Sequence, residues 1–143
     1  MVVTAKDFMT KEVVIIDITK SALDAAKLLT SRDVGSLVVV RDGKAVGILT
    51  DRDIVVRAVS LGINVEKVKV GDIMSRPLVT VSPDTPMIEV ARIMEQNSIR
   101  RVPVVENEEV VGIVTVSDMG RASKVLAPYL MSRIPEIYLG PKT

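Results

Sequence analysis

The stretch Gly-Ile-Leu-Thr-Asp-Arg-Asp at residues 47–53 decides the fold, because it returns as Gly-Ile-Val-Thr-Val-Ser-Asp at residues 112–118. The same offset aligns residues 7–54 with residues 72–119 without a gap, and 11 of those 48 pairs are identical. Composition alone would give roughly three identities over that length. A unit of about 60 residues that occurs twice predicts two copies of one local structure, related by a pseudo-twofold axis.

Each copy predicts the order strand, helix, strand, strand, helix. The apolar segments behind this prediction lie at residues 13–16, 22–29, 37–40 and 45–49 in the first copy, and at 78–81, 87–94, 102–105 and 110–114 in the second. Because neither copy can cover both faces of its own small sheet, we expect the two to pack together. The predicted class is α/β (α+β), with two pseudo-twofold-related β-α-β-β-α repeats packed through their small sheets.

The predicted boundaries place the first repeat at residues 1–62, the second at residues 63–127 and a tail at residues 128–143. The tail holds two of the three aromatic residues, Tyr129 and Tyr138, together with several large aliphatic residues. It is too apolar for a freely solvated end. We expect it to fold back on its own module or to contact a neighbouring subunit.

The composition argues against several classes of function. The 143 residues include no histidine and no cysteine, which removes thiol nucleophiles, disulfides, the usual transition-metal ligands and the commonest general base. We therefore expect no metal site and no enzymatic activity. A net charge of +1, with the charges scattered, makes nucleic-acid binding an unfavoured role. The sequence has neither an apolar run of membrane-spanning length nor a signal-peptide layout, so we expect a soluble, cytoplasmic protein without membrane contact.

The end of the first repeat is more apolar than one core face requires. Its predicted final helix carries apolar residues around most of its circumference, namely Ile54, Val55, Val56, Ala58, Val59 and Leu61. This excess indicates a second buried face, which would lie against either the other repeat or another subunit. We expect a homodimer.

The repeated Gly-Ile-x-Thr-x-x-Asp motif has two interpretations. Thr50 with Asp53, and Thr115 with Asp118, have the spacing of a helix capping box, and the glycines of the motif could mark a bulge or tight packing in a strand. Alternatively, the hydroxyl and amides at a helix start suit a phosphate, and a nearby carboxylate suits the two hydroxyls of a ribose. Finding hydroxyl, carboxylate and glycine together twice favours a ribose-phosphate pocket.

These features resemble a tandem pair of CBS domains, the Bateman module, of the stand-alone bacterial and archaeal type. The resemblance rests on the Asp-Ile-Met turn at residues 72–74, the Val-Pro-Val strand at 102–104 and the two Gly-Ile-x-Thr-x-x-Asp motifs, and it covers about residues 7–126. It implies an energy-sensing regulatory module that binds AMP, ADP or ATP, or in some members S-adenosylmethionine or NAD, in two clefts between the repeats. No cofactor would be required.

The resemblance also implies roles for individual residues. Asp53 and Asp118 would hold ribose hydroxyls, and Thr50, Thr115 and Ser117 would contact ribose or phosphate. The adenine would lie among Ile16, Val81, Gly47, Gly112 and Pro103. Arg100 and Arg101 would face phosphate groups, unless they form a solvated or salt-bridged edge.

The two copies differ at these arginines, because the first repeat has Gly35 and Ser36 in their place. We therefore predict two unequal sites, the stronger of which combines Thr50 and Asp53 with Arg100 and Arg101. The leading hypothesis is a non-catalytic sensor of adenine nucleotides that signals to an unknown regulated protein through a change of conformation or dimer packing. The alternatives are a structural or assembly module with degenerate pockets and a sensor of another adenosyl ligand.

Overall fold

The computed structural model describes residues 2–133. Its elements follow the chain as α1 (Ala5–Phe8), β1 (Ile15–Asp17), α2 (Ala22–Arg32), β2 (Ser36–Arg41), β3 (Lys44–Thr50), α3 (Asp51–Arg57), α4 (Val70–Ile73), α5 (Met87–Asn97), β4 (Arg101–Glu106), β5 (Glu109–Thr115) and α6 (Val116–Arg133). A 3-10 turn at Val59–Leu61 follows α3. This mixed arrangement of small sheets and helices confirms the predicted fold class.

The first repeat forms the sheet β1-β2-β3, in which β1 is parallel to β2 and β2 is antiparallel to β3. The hairpin between β2 and β3 turns at Asp42 and Gly43, both of which have positive φ, and this geometry suits the twist of the strands. The second repeat turns at Asn107 and Glu108 in the same conformation. Both hairpins carry a register shift at equivalent positions, after Val39 and after Val104.

The second repeat lacks the strand predicted at residues 78–81, which is reduced to a single parallel bridge between Val81 and Val104. Proline explains the difference. In the first repeat the Val38 amide donates to the Val14 carbonyl at 3.0 Å. The equivalent residue of the second repeat is Pro103, which has no N–H to donate. The ladder is therefore shorter, although Val81 N–H still donates to the Pro103 carbonyl at 3.1 Å.

Each repeat completes its core with a segment that the predicted boundaries place in the other repeat. Residues 2–10, which include α1, pack against β5 and α6, and residues 65–75, which include α4, pack against β3 and α3. Thr10 exchanges two backbone hydrogen bonds with Ile113, and Ser75 exchanges two with Ile48. We call residues 2–10 and 65–75 the exchanged segments. They tie the two repeats together at equivalent places.

Helices α1 and α2 begin with capping boxes. Thr4 N–H donates to Asp7 at 2.8 Å at the start of α1, and this bond holds the pKa of Asp7 below its ordinary value. At the start of α2, the Asp24 amide donates to Ser21 Oγ at 3.1 Å, and the return bond from the Ser21 amide lowers the pKa of Asp24.

The predicted apolar helix at residues 54–61 is shorter than expected, because α3 ends at Arg57 and a 3-10 turn follows. Three consecutive β-branched residues, Ile54, Val55 and Val56, disfavour a longer helix. Ile54 and Ala58 are buried in the core of the first repeat, whereas Val55 and Val56 are exposed. The interpretation that the second apolar face packs against the other repeat is therefore wrong, because that face lies on the surface.

The C-terminal helix α6 extends the second repeat through Arg133 and contains Pro128. The predicted tail at residues 128–143 thus begins inside a helix, and its residues from 134 onward lie outside the described part of the chain. Within residues 2–133, the helices are too short or too polar to cross a membrane.

Candidate functional site

Two clefts in the described part of the chain lie between the repeats at positions related by the pseudo-twofold axis. The larger has a volume of about 500 Å³ and is lined by Ile48, Thr50, Asp51, Arg52, Ser75, Ile99, Arg100, Arg101, Thr115, Val116 and Ser117. The smaller has a volume of about 190 Å³ and is lined by Thr10, Glu12, Val13, Val14, Val34, Gly35, Ser36, Val38, Arg101, Ile113 and Thr115. Only the larger falls in the range of about 300–1,000 Å³ that is usual for small-molecule sites.

The two clefts differ in charge. Three arginines, Arg52, Arg100 and Arg101, line the larger cleft together with one aspartate, Asp51. The lining of the smaller cleft instead combines one glutamate, Glu12, with Arg101. The larger cleft is therefore the more favourable place for an anion.

Arg101 and Thr115 line both clefts, whereas Arg100 lines the larger one. Both arginines were predicted at the site of Thr50, and the sharing of Arg101 between the two clefts was not predicted. Arg52 also lines the larger cleft and was not predicted as a site residue. Its position directly after the motif threonine and Asp51, at the start of α3, is the signal that could have revealed it.

The motif threonines lie in the clefts, and the motif aspartates lie behind them. Asp53 and Asp118 have only 9% and 1% of their surface exposed. The Thr50 amide donates to Asp53 Oδ2 at 2.9 Å, and the Thr115 amide donates to Asp118 Oδ2 at 2.8 Å. Each aspartate amide returns a bond to its threonine hydroxyl, at 3.1 Å and 3.3 Å. Both motifs thus form capping boxes in this structure.

The second oxygen of each aspartate faces an arginine on the same helix. Asp53 Oδ1 lies 3.6 Å from Arg57, and Asp118 Oδ1 pairs with Arg121. Asp118 Oδ1 also accepts a bond of 3.4 Å from the Thr10 hydroxyl. Both oxygens of Asp118 are therefore engaged, because Oδ2 also accepts a bond of 3.1 Å from the Thr115 hydroxyl, whereas Oδ1 of Asp53 has the longer contact to Arg57.

The residues predicted to surround the adenine lie next to the clefts. Ile16 and Val81 are buried in the two cores, at 6% exposure each. The apolar cleft lining includes instead Val14, Val38 and Ile113 in the smaller cleft and Ile48 in the larger cleft. Pro103 is buried within β4 opposite Ile113.

The two motif glycines make room for methionine side chains of the exchanged segments. A Cβ at Gly47 would lie 2.5 Å from Met74 Sδ and 3.0 Å from the Ser75 carbonyl oxygen. A Cβ at Gly112 would lie 2.8 Å from Met9 Cγ. The contacts of both glycines in this structure therefore agree with the interpretation that they are positions of tight packing.

The comparisons with known proteins agree with this architecture. A family model described as "CBS domain" matches residues 5–60 and residues 70–124. Among curated relatives, an uncharacterised protein of Methanopyrus kandleri is 37% identical over 120 residues, which cover 82% of this chain and 59% of that protein. The CBS domain-containing protein YhcV of Bacillus subtilis is 34% identical over 116 residues, which cover 81% of this chain and 82% of its own.

Solved structures show the same fold. A conserved protein from Pyrococcus horikoshii has a TM-score of 0.78 at 37% identity, covering 87% of this chain and 94% of that chain. The CBS domain pair of protein MJ0100, in complex with 5′-methylthioadenosine and S-adenosyl-L-methionine, has a TM-score of 0.78 at 33% identity, covering 87% and 98%. The hexameric CBS-CP12 protein from bloom-forming cyanobacteria has a TM-score of 0.77 at 29% identity, covering 93% and 90%. With both repeats matched and their fold shared, the chain belongs to the CBS-domain family and carries two CBS domains in tandem.

Proposed function

We propose that this chain is a non-catalytic regulatory module that binds an adenine nucleotide of the AMP, ADP or ATP class in its larger cleft. The observation that carries the proposal is the charge of that cleft, where Arg52, Arg100 and Arg101 meet the hydroxyl-bearing residues Thr50 and Ser117. Arginine suits phosphate recognition because its planar guanidinium can donate two parallel hydrogen bonds.

The MJ0100 domain pair supports an adenosyl ligand, since both molecules in that complex contain adenosine. The excess of arginines in the present cleft favours an anionic ligand over S-adenosylmethionine, whose sulfonium is positively charged. We therefore place the nucleotide phosphates, rather than a sulfonium, beside the three arginines. The adenosine would extend toward Thr50.

A thermal-shift screen tests this proposal. The ligands are AMP, ADP, ATP, NAD, S-adenosylmethionine, 5′-methylthioadenosine and GTP. A ligand at 100 times its dissociation constant stabilises the folded protein by about 2.7 kcal/mol. We expect the phosphate-bearing adenine ligands to give the largest shifts. If none of these ligands changes the melting temperature, the proposal fails and an assembly module with degenerate clefts is favoured.

Replacing Asp53 with alanine is expected to remove a preference for AMP over 2′-deoxy-AMP. A hydrogen bond to a charged group contributes about 1.5–3 kcal/mol, so the preference should fall by about tenfold or more. Titration calorimetry with both nucleotides measures the ratio.

Asp24→Ala is the matched control for the Asp53 variant. Asp24 has the same place in the capping box of α2, and it lies outside the described lining of both clefts. Both variants should lose about 1 kcal/mol of stability with the cap. An unchanged sugar preference in the Asp53 variant would contradict the ribose role.

An exposed apolar surface supports self-association of the module. Val55, Val56, Val59, Leu61 and Ile63, which we call the α3 patch, are between 42% and 68% exposed. Contiguous exposed apolar residues commonly mark an interface. We propose that this patch forms a homodimer contact and that ligand binding signals through it by changing dimer packing. The hexameric CBS-CP12 protein shows that a chain with this fold can assemble.

A charge placed in the α3 patch should therefore separate the subunits. We expect Val56→Asp combined with Leu61→Asp to convert the protein to a monomer, because burying two unpaired carboxylates in a contact is unfavourable. Light scattering coupled to size exclusion measures the mass. Val2→Asp, at a residue 70% exposed outside the patch, is the control and should leave the mass unchanged. Equal masses for the wild-type protein and the double variant would refute the contact.

A further inference from the structure

An arginine connects the motif aspartate of the first repeat to an exchanged segment. Arg57, in the last turn of α3, lies 3.6 Å from Asp53 Oδ1. Its Nη1 donates to the Ile73 carbonyl at 2.9 Å and to the Ser75 hydroxyl at 3.2 Å. Ser75 also lines the larger cleft. The same guanidinium therefore contacts the motif and the neighbouring segment at once.

The second repeat contains the same connection, made by Arg121 on α6. Arg121 pairs with Asp118 Oδ1 and donates to the Phe8 carbonyl at 3.2 Å. In the repeat alignment Phe8 corresponds to Ile73, so the two arginines reach equivalent carbonyl groups. Thr10, which corresponds to Ser75, donates to Asp118 directly.

The two arginines are not equivalent in sequence. Arg57 aligns with Ala122, and Arg121 aligns with Val56. Residues three and four positions along a helix share a face, so Arg121 and Arg57 can reach their aspartates from i+3 and i+4 respectively. An exposed ion pair by itself contributes little stability. Both repeats thus link the motif aspartate to an exchanged segment through an arginine, although the two arginines are at non-equivalent positions. This recurrence indicates that the module requires the link itself.

We propose that Arg57 and Arg121 are positioning residues. Each orients its motif aspartate and links that aspartate to the exchanged segment that packs on the same repeat. The proposal rests on the proposed ribose role of Asp53 for its functional meaning. Asp53 Oδ2 is held by the Thr50 amide, and Oδ1 faces Arg57. When Oδ1 accepts a ribose hydroxyl, the Arg57 contacts to Ile73 and Ser75 must adjust. Occupancy of the cleft is thereby transmitted to the exchanged segment.

A ligand-free hydrogen-exchange experiment tests the link. It compares wild-type protein, Asp53→Asn, Arg57→Ala and the double variant, and it follows the amides of residues 73–75. We expect Asp53→Asn to speed exchange there by about threefold or more, and we expect it to add little in the Arg57→Ala background, because directly coupled residues are not additive. Independent, multiplicative effects of the two changes would overturn the proposal.

A ligand experiment tests the positioning role separately. Arg57→Ala should lower the preference for AMP over 2′-deoxy-AMP, while Arg57→Lys, which keeps the charge, should retain most of it. Arg92→Ala is the matched control, because it removes an ion pair with Glu89 on α5, outside the described lining of both clefts. If AMP binds and the preference is the same in all variants, Arg57 has no positioning role. If AMP does not bind the wild-type protein, the nucleotide proposal fails, and the exchange experiment still decides the link.

Discussion

Replacing Gly112 with alanine should lower the free energy of unfolding by about 1–3 kcal/mol, the usual cost of an extra methyl group in a filled core. The new Cβ would lie 2.8 Å from Met9 Cγ and 3.2 Å from Met9 Cβ, both closer than a normal contact. Met9 cannot move away freely, because its amide donates to the Ala5 carbonyl at 2.8 Å and the next residue, Thr10, is hydrogen-bonded to Ile113. Urea denaturation measures the loss.

Gly120→Ala provides the control for Gly112→Ala. Gly120 lies within α6, and a Cβ there would meet no atom within 4 Å. Alanine should therefore raise stability by about 0.4–1 kcal/mol, because it restricts the unfolded chain and favours the helix. The double variant Met9→Ala with Gly112→Ala should lose less unfolding free energy than the sum of the losses in the two single variants. Strict additivity would show that Met9 is not the group that Gly112 accommodates.

Replacing Arg100 and Arg101 with alanine should weaken AMP or ATP binding by about 100-fold or more and change adenosine binding by less than about threefold. Each charge-assisted hydrogen bond to phosphate contributes about 1.5–3 kcal/mol, and 1.4 kcal/mol corresponds to a factor of ten. Adenosine lacks the phosphate and so loses nothing comparable. Titration calorimetry with both ligands gives the two dissociation constants, and equal losses would rule out the phosphate role.

The single variants should separate the two clefts. Arg100 lines the larger cleft, whereas Arg101 lines both. Arg100→Ala should therefore weaken AMP binding in the larger cleft, and Arg101→Ala should weaken AMP binding in each cleft that AMP occupies. Arg92→Ala removes an arginine of α5 from outside the described lining and should leave AMP binding unchanged.

The repeat in the sequence was sufficient to predict the fold class, because alternation, helical spacing and turn residues are local properties of the chain. The family was predicted from the resemblance of the repeated motifs to CBS domains. The strand at residues 78–81 was predicted wrongly, since its absence depends on a missing N–H at Pro103, which belongs to a neighbouring strand. The apolar pattern of one segment does not show whether the neighbouring strand can form hydrogen bonds with it. Likewise, the end of α3 at Arg57 depends on backbone preferences that an apolar stripe conceals.

The site was predictable in its motif and less so in its surroundings. The spacing of Thr50 and Asp53 predicted both a capping box and a ligand pocket, and the structure shows the capping box. The sharing of Arg101 between clefts follows from the way the two repeats face each other, which the alignment of the copies does not encode. The same reason applies to Arg57 and Arg121, whose equivalence exists in space and is absent from the register of the repeat.

The exchanged segments have a consequence for the order in which the chain folds during synthesis. Residues 65–75 follow the first repeat closely, so the core they complete can close while translation of the second repeat is under way. Residues 2–10 leave the ribosome well before their partners, which are residues 83–87 and the later elements β5 and α6. The contacts of residues 2–10 with β5 and α6 can therefore form only when nearly the whole described chain has been made. A ribosome stalled near residue 100 would therefore carry residues 2–10 without their contacts to β5 and α6, open to proteolysis or to chaperones.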